Sequence, residues 1–91
     1  MEITWFEWDD KNIGHIAKHS LSPDEVEDVA FDDAPWIRKG RDRTRYMLGF
    51  TAGGRYVFTV YVLKDKGIAR VITAVDMNES TKKLYKRKAK Q

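Results

Sequence analysis

The chain has no cysteine, which excludes a disulfide framework, a thiolate zinc site and a cysteine nucleophile, and leaves packing as the source of stability. Proline occurs only twice, at Pro23 and Pro35, each placed to mark an element boundary. No stretch approaches the ~18 consecutive apolar residues of a membrane-spanning helix, so no membrane partner is expected. The opening MEITWFEWDD carries acids where a secretory signal carries Lys or Arg. The expectation is a cytoplasmic protein beginning near Met1. Repeats and linkers are also absent, and 91 residues make one domain over 1–91. A domain of this size buries only about 60 to 65% of its unfolded surface, so the three Trp, four Tyr and four Phe supply most of the core.

What is present in excess is charge, and it is unevenly placed. Residues 1–35 hold ten acids against Lys11 and Lys18, while residues 36–91 hold the other 15 basic residues against Asp42, Asp65, Asp76 and Glu79. The net charge of +3 therefore hides halves of −8 and +11. In a folded domain such a split predicts one acidic and one basic surface, the second suited to a polyanion. Ordinary patchiness of a small charged protein accounts for the same numbers.

Periodicity predicts an α+β fold: a short N-terminal strand, two helices, an antiparallel four-stranded meander and a C-terminal helix. Ile3 to Trp8 reads as the first strand, with Asp9 or Asp10 capping a helix to about His19 whose apolar stripe is Ile13, Ile16 and Ala17. Ser22-Pro23-Asp24-Glu25 is a capping box opening a second helix that buries Val26, Val29, Ala30 and Phe31 and stops at Asp32-Asp33-Ala34-Pro35. From Trp36 the period becomes two. Strands are expected at about 36–39, 43–51, 55–63 and 68–75, separated by Gly40, Ala52-Gly53-Gly54 and Lys64 to Gly67. Asn78 or Ser80 caps the last helix, whose basic run to Lys90 suits a helix C-terminus.

Parity extends the reading. Tyr46, Leu48 and Phe50 in one strand and Tyr56, Phe58, Val60 and Val62 in the next are assigned to the helix-covered face. A three-residue loop at Ala52-Gly53-Gly54 then sets Arg45 opposite Tyr61, Met47 opposite Thr59 and Thr51 opposite Arg55. A four-residue loop at Lys64 to Gly67 sets Arg70 beside Tyr61 and Asp76 beside Arg55. The result is an open face bearing Arg45, Tyr61 and Arg70, bordered by Arg43 and Arg55. Guanidinium forks bind phosphate and a tyrosine ring stacks on a base; a solvated sheet face with cross-strand cation–π contacts is the plainer alternative.

Other constellations are weaker. His15 and His19 have the spacing of a two-histidine metal pair but lack the Glu a zinc protease needs, so surface histidines, or an acid and base near neutral pH, are expected instead. Asp9 and Asp10 read as caps and no metal or other cofactor is expected. The tail from Lys82 to Lys90 is either a polyanion-binding helix with Leu84 and Tyr85 docked on the body or a frayed terminus. No Ser/His/Asp triad can be argued.

Taken in order, Phe-Glu-Trp-Asp, a helix with Lys-His, Ser-Pro-Asp-Glu-Val-Glu-Asp-Val, Gly-Arg-Tyr before an apolar strand, Ala-Arg-Val-Ile-Thr-Ala and a helix with Leu-Tyr resemble the BrnT-type toxins of bacterial type II toxin–antitoxin systems, over about residues 5–88. The resemblance implies a RelE-like ribonuclease that inhibits translation, held by a DNA-binding antitoxin, in some cases within a larger toxin–antitoxin complex. Carried onto this chain it picks out Trp8, Asp9, Lys18, His19, Arg55, Arg70 and Tyr85. Val75 stands where the family commonly has Arg, and Thr81 where it has Glu. A metal-free ribonuclease uses the RNA's own 2′-OH and needs a base, an acid and cations for the phosphorane-like charge. The expected catalytic set is Arg70, Arg45, His19, Lys18 and Tyr85, with Arg43, Arg55, Tyr61, Lys83 and Arg87 contacting RNA. An inert relative that binds RNA or an antitoxin-like protein through the basic sheet, and an interaction domain with no RNA role, are the alternatives.

Overall fold

In the computed structural model, which describes residues 2–32 and 35–89, strand β1 (Trp5–Glu7) leads through Asp9 into helix α1 (Asp10–Ala17). The Asp9 carboxylate accepts from the amides of Lys11 and Asn12, and the Asn12 side chain accepts from the Asp9 amide, so two orphan donors are satisfied reciprocally. The helix is anchored by the same residue. Buried Asn12 donates to the carbonyls of Glu7 and Val71, taking a place in the inner wall beside Ile16 and leaving Ile13 exposed. Helix α2 (Pro23–Asp32) opens on the Ser22 and Glu25 capping box and buries Val26, Val29 and Ala30. Phe31, expected inside, is 53% exposed. Of the expected stop at Asp32 to Pro35, residues 33 and 34 lie outside the described residues, as do Met1 and the end of the basic tail at Lys90.

Strands β2 (Trp36–Lys39), β3 (Thr44–Phe50), β4 (Tyr56–Lys64) and β5 (Ile68–Asp76) follow, then helix α3 (Glu79–Ala89), whose amide at Thr81 is capped by the Asn78 side chain. The sheet is mixed and five-stranded, in the order β1-β5-β4-β3-β2, because β1 joins β5 in parallel while the other neighbours are antiparallel. Sequence periodicity, which sees strands and not their partners, left β1 unplaced. The first hairpin has the register parity demands, with Arg45 opposite Tyr61 and Met47 opposite Thr59, and Gly54 takes the left-handed position (φ 86°).

The covered face is the one that parity left open. Helices α1 and α2 lie over Met47, Val57, Thr59, Tyr61, Ala69, Val71 and Ala74, all buried with Phe6, Ile16, Val26 and Val29. The close approach needs Gly49, where a Cβ would meet Val29 at 2.7 Å. The opposite set, Tyr46, Leu48, Tyr56 and Phe58, packs instead with Trp36, Met77 and Tyr85 beneath α3. Both faces of β3 and β4 carry apolar residues, so alternation alone cannot rank them.

The second hairpin also differs from expectation. Its loop is the three-residue turn Asp65–Gly67, with Lys66 and Gly67 left-handed, so Lys64 pairs with Ile68 and Arg70 falls opposite Val62 rather than Tyr61. One residue moves Arg70 through the sheet. A bulge where Val60 and Tyr61 face Thr73 and Val71 then restores parity, and Asp76 ends on the same face as Arg55.

Candidate nucleic-acid interface

The expected cluster of Arg45, Tyr61 and Arg70 does not assemble. Tyr61 is fully buried under α1 and α2 with no partner for its hydroxyl among the described residues, and burial pushes that hydroxyl's pKa above the usual tyrosine value. No base can stack on it. Arg45 shares that face, half-exposed, 3.2 Å from Glu2. Arg70 projects from the other face at the β1 end, where Nη1 lies 2.9 Å from Asp9 and 3.1 Å from Glu7. Glu7 also takes Lys64 at 2.9 Å. Lys64 and Arg70 hold Glu7 below the ordinary carboxylate range, Arg70 does the same to Asp9, and the two acids raise Arg70 in return. The group is electrically closed, with two cations against two anions.

Arg55 is likewise occupied. Its Nε donates to Asp76 at 2.6 Å, Nη2 to Asp76 and to the His19 carbonyl, and Nη1 to the Ser20 carbonyl, with Glu25 3.5 Å away. The planar fork thus clamps the α1–α2 turn, where Ser20 is left-handed (φ 61°), to the sheet. Arg55 is a structural tie. Arg43 is exposed in the β2–β3 turn, and Lys18 and His19 are exposed beyond α1, with His19 contributing its carbonyl to Arg55. His15 and His19 stand 6.2 Å apart, ring to ring, and no third His, Cys, Asp or Glu converges on them among the described residues.

A recess of about 230 Å³ between α1 and β5 was not anticipated; Lys11, Asn12, His15, Arg70, Val71 and Ile72 line it. Its signal was legible: Lys11 and His15 are four apart and share a helix face.

Free positive charge collects beside α3, at the end of the sheet away from β1. Met77 and Tyr85 dock α3 onto Leu48, Trp36, Tyr56 and Phe58, with the Tyr85 ring edge-on to Tyr56 at 6.0 Å. Tyr85, expected in catalysis, is buried against the sheet and acts as the helix's anchor. Around it Lys82 and Lys86 each stand 5.2 Å from the Tyr56 ring, Arg38 stands 5.0 Å from Trp36 and Lys88 6.0 Å from Trp36. Trp36, Arg38, Leu84, Arg87 and Lys88 line a second recess of about 230 Å³. Among the described residues none of Arg38, Lys83, Lys86, Arg87 and Lys88 has a carboxylate within ion-pair distance.

Of the expected site residues, Lys83 and Arg87 therefore lie beside these rings, while Arg43 and Lys18 stand exposed elsewhere, and Val75 faces the α3 side opposite Phe58. Arg38, Trp36 and Tyr56 were missed, since Trp36 and Tyr56 read as core and Arg38 as part of a short strand. Chemically, rings flanked by ammonium and guanidinium groups suit a strand of phosphates with exposed bases. No protein-family model and no curated protein matches this chain.

Proposed function

We propose that this chain binds single-stranded RNA on the sheet face beside α3, in the manner of a BrnT-like toxin that acts on RNA. The observation that carries the reading is the set of four cation–ring contacts at Trp36 and Tyr56, made by cations that among the described residues have no competing carboxylate except for Lys82, which has Glu79 at 3.9 Å. Such cations can exchange a ring for a phosphate at little cost, whereas Arg55 and Arg70 would first have to leave carboxylates. An oligonucleotide of about 12 nucleotides, followed by fluorescence anisotropy, should bind with log affinity falling against log salt by about 0.7 per phosphate contacted. The pair Lys83→Glu and Arg87→Glu, on exposed positions of α3, should weaken it by about tenfold or more. Affinity unchanged by that pair sinks the reading.

A ribonuclease reading draws on a separate observation, the imidazole, ammonium and guanidinium lining the Lys11, His15 and Arg70 recess. There His15 would take the proton of the 2′-OH, which attacks phosphorus, Lys11 would give a proton to the departing 5′-oxygen, and phosphate would displace Glu7 or Asp9 from Arg70. Cleavage in EDTA leaving 2′,3′-cyclic phosphate ends, lost in His15→Ala, is the expected outcome; intact RNA refutes it. A toxin of this kind should arrest growth when expressed and be relieved by a cognate antitoxin.

A further inference from the structure

The most exposed large apolar side chain in the described residues is Trp5, at 69%, and Phe31 follows at 53%. They flank one groove. It has a volume of about 330 Å³, runs along the outer side of edge strand β1 and is lined by Thr4, Trp5, Phe6, Trp8, Glu27 and Phe31. Its walls are held in place: Phe31 meets Phe6 edge-on at 5.5 Å, Phe6 stacks on Trp8 at 6.0 Å, and the Trp8 indole donates to Glu27 at 2.7 Å. Glu27 and its neighbours Asp24 and Asp28 surround a second hollow that Phe31 also lines. Among the described residues none of these three carboxylates has a cation within ion-pair distance.

Exposed rings are costly to leave in water, and the carboxylates beside them, of which Glu27 accepts from Trp8 and Asp28 from the Ala52 amide, make the groove a poor partner for any polyanion. They complement a cation with an apolar stem or neighbour, which gains ion pairing from the carboxylates and cation–π attraction from the rings. We propose that this groove docks a cationic amphipathic segment of a second protein, which seats one aliphatic side chain between Trp5 and Phe31 and lays Arg or Lys along Asp24, Glu27 and Asp28. The helix α3 of another copy is the less suitable occupant, because Leu84 and Arg87, its exposed aliphatic and guanidinium side chains, line the recess that the RNA reading uses. This site is independent of RNA binding, which uses the face beside α3.

The probe is a fluorescein-labelled helical peptide of about 12 residues with leucines at helical spacing and arginines elsewhere, compared with the same peptide bearing glutamates in place of arginine. The arginine peptide should bind the full chain with a Kd of about 10 μM and the glutamate peptide should not. Trp5→Ala and Asp24→Lys, both on exposed side chains, should each weaken binding at least about tenfold while leaving RNA affinity unchanged. Peptide binding indifferent to both substitutions overturns the proposal. So does self-association, seen by sedimentation, that both Trp5→Ala and the Lys83→Glu and Arg87→Glu pair abolish, because the occupant is then a second copy.

Discussion

Arg55 and Arg70 are ringed by carboxylates, whereas Arg38, Lys86 and Lys88 rest on aromatic rings, and the contrast follows from which part of the chain lies beside each of them. The acidic N-terminal third supplies β1, α1 and α2, so a basic side chain directed toward those elements meets an acid: Arg45 meets Glu2, Arg55 meets Glu25, Arg70 meets Glu7 and Asp9. The basic C-terminal part supplies α3, which brings its own cations to the other face. The halves of −8 and +11 thus become two surfaces, and an arginine's availability depends on the element facing it more than on its own position.

The comparison breaks most visibly at Arg55. Replacing it with Met removes four hydrogen bonds and the ion pair with Glu25 in a single step, and leaves two carbonyls and Asp76 unmatched. Arg55→Met should lower stability by about 2 kcal/mol in urea denaturation, with RNA affinity at low temperature unchanged. A variant that stays stable but loses RNA would return Arg55 to the binding surface. Acid gives a second view. Arg55 holds the Asp76 carboxyl below its usual 3.8, so this contribution is complete above that value and is lost as pH falls through the lower, folded one. Wild-type stability should therefore fall steeply on acidification below about pH 4, and Arg55→Met should flatten that slope.

Local chemistry was the legible part of this chain. The box at Ser22, the caps narrowed to Asp9 or Asp10 and to Asn78 or Ser80, and the glycine turn before Arg55 each depend on residues within a few positions, and the β3–β4 register followed from one loop length. What failed depends on partners distant in sequence. Tyr61 and Tyr46 belong to equally apolar alternating sets, and only the packing of α2 against Gly49 decides between them. Arg70 was misplaced because Lys66 and Gly67 both adopt left-handed backbone and shorten the second turn by one residue. Trp36 and Tyr56 looked like core, and became a cation platform only because α3 brings lysines over them.

Tyr61 sharpens the same contrast from inside. A tyrosine on an RNA-binding face should lose affinity on conversion to Phe, whereas a buried hydroxyl without a partner carries a desolvation cost that the conversion removes. Tyr61→Phe should raise stability by about 1 kcal/mol and leave RNA binding untouched, as read by paired urea and anisotropy titrations. A loss of stability would mean that the hydroxyl has a partner.

The smallest effect belongs to Arg45, whose pair with Glu2 is 39% and 53% exposed on the two sides. An ion pair so open to water is screened and gives back in side-chain entropy much of what it gains, so Arg45→Ala should change stability by less than about 0.5 kcal/mol. Its position tests more than its energy. Arg45 lies on the face with α1 and α2, across the sheet from Trp36 and Tyr56, and should leave RNA affinity within about twofold of wild type at moderate salt, where long-range attraction is screened. A larger loss that survives added salt would put RNA on the acidic side of the sheet, where Glu2 and Glu25 already compete for the arginines, and the division of the molecule into an RNA face and a cation-binding face would fail.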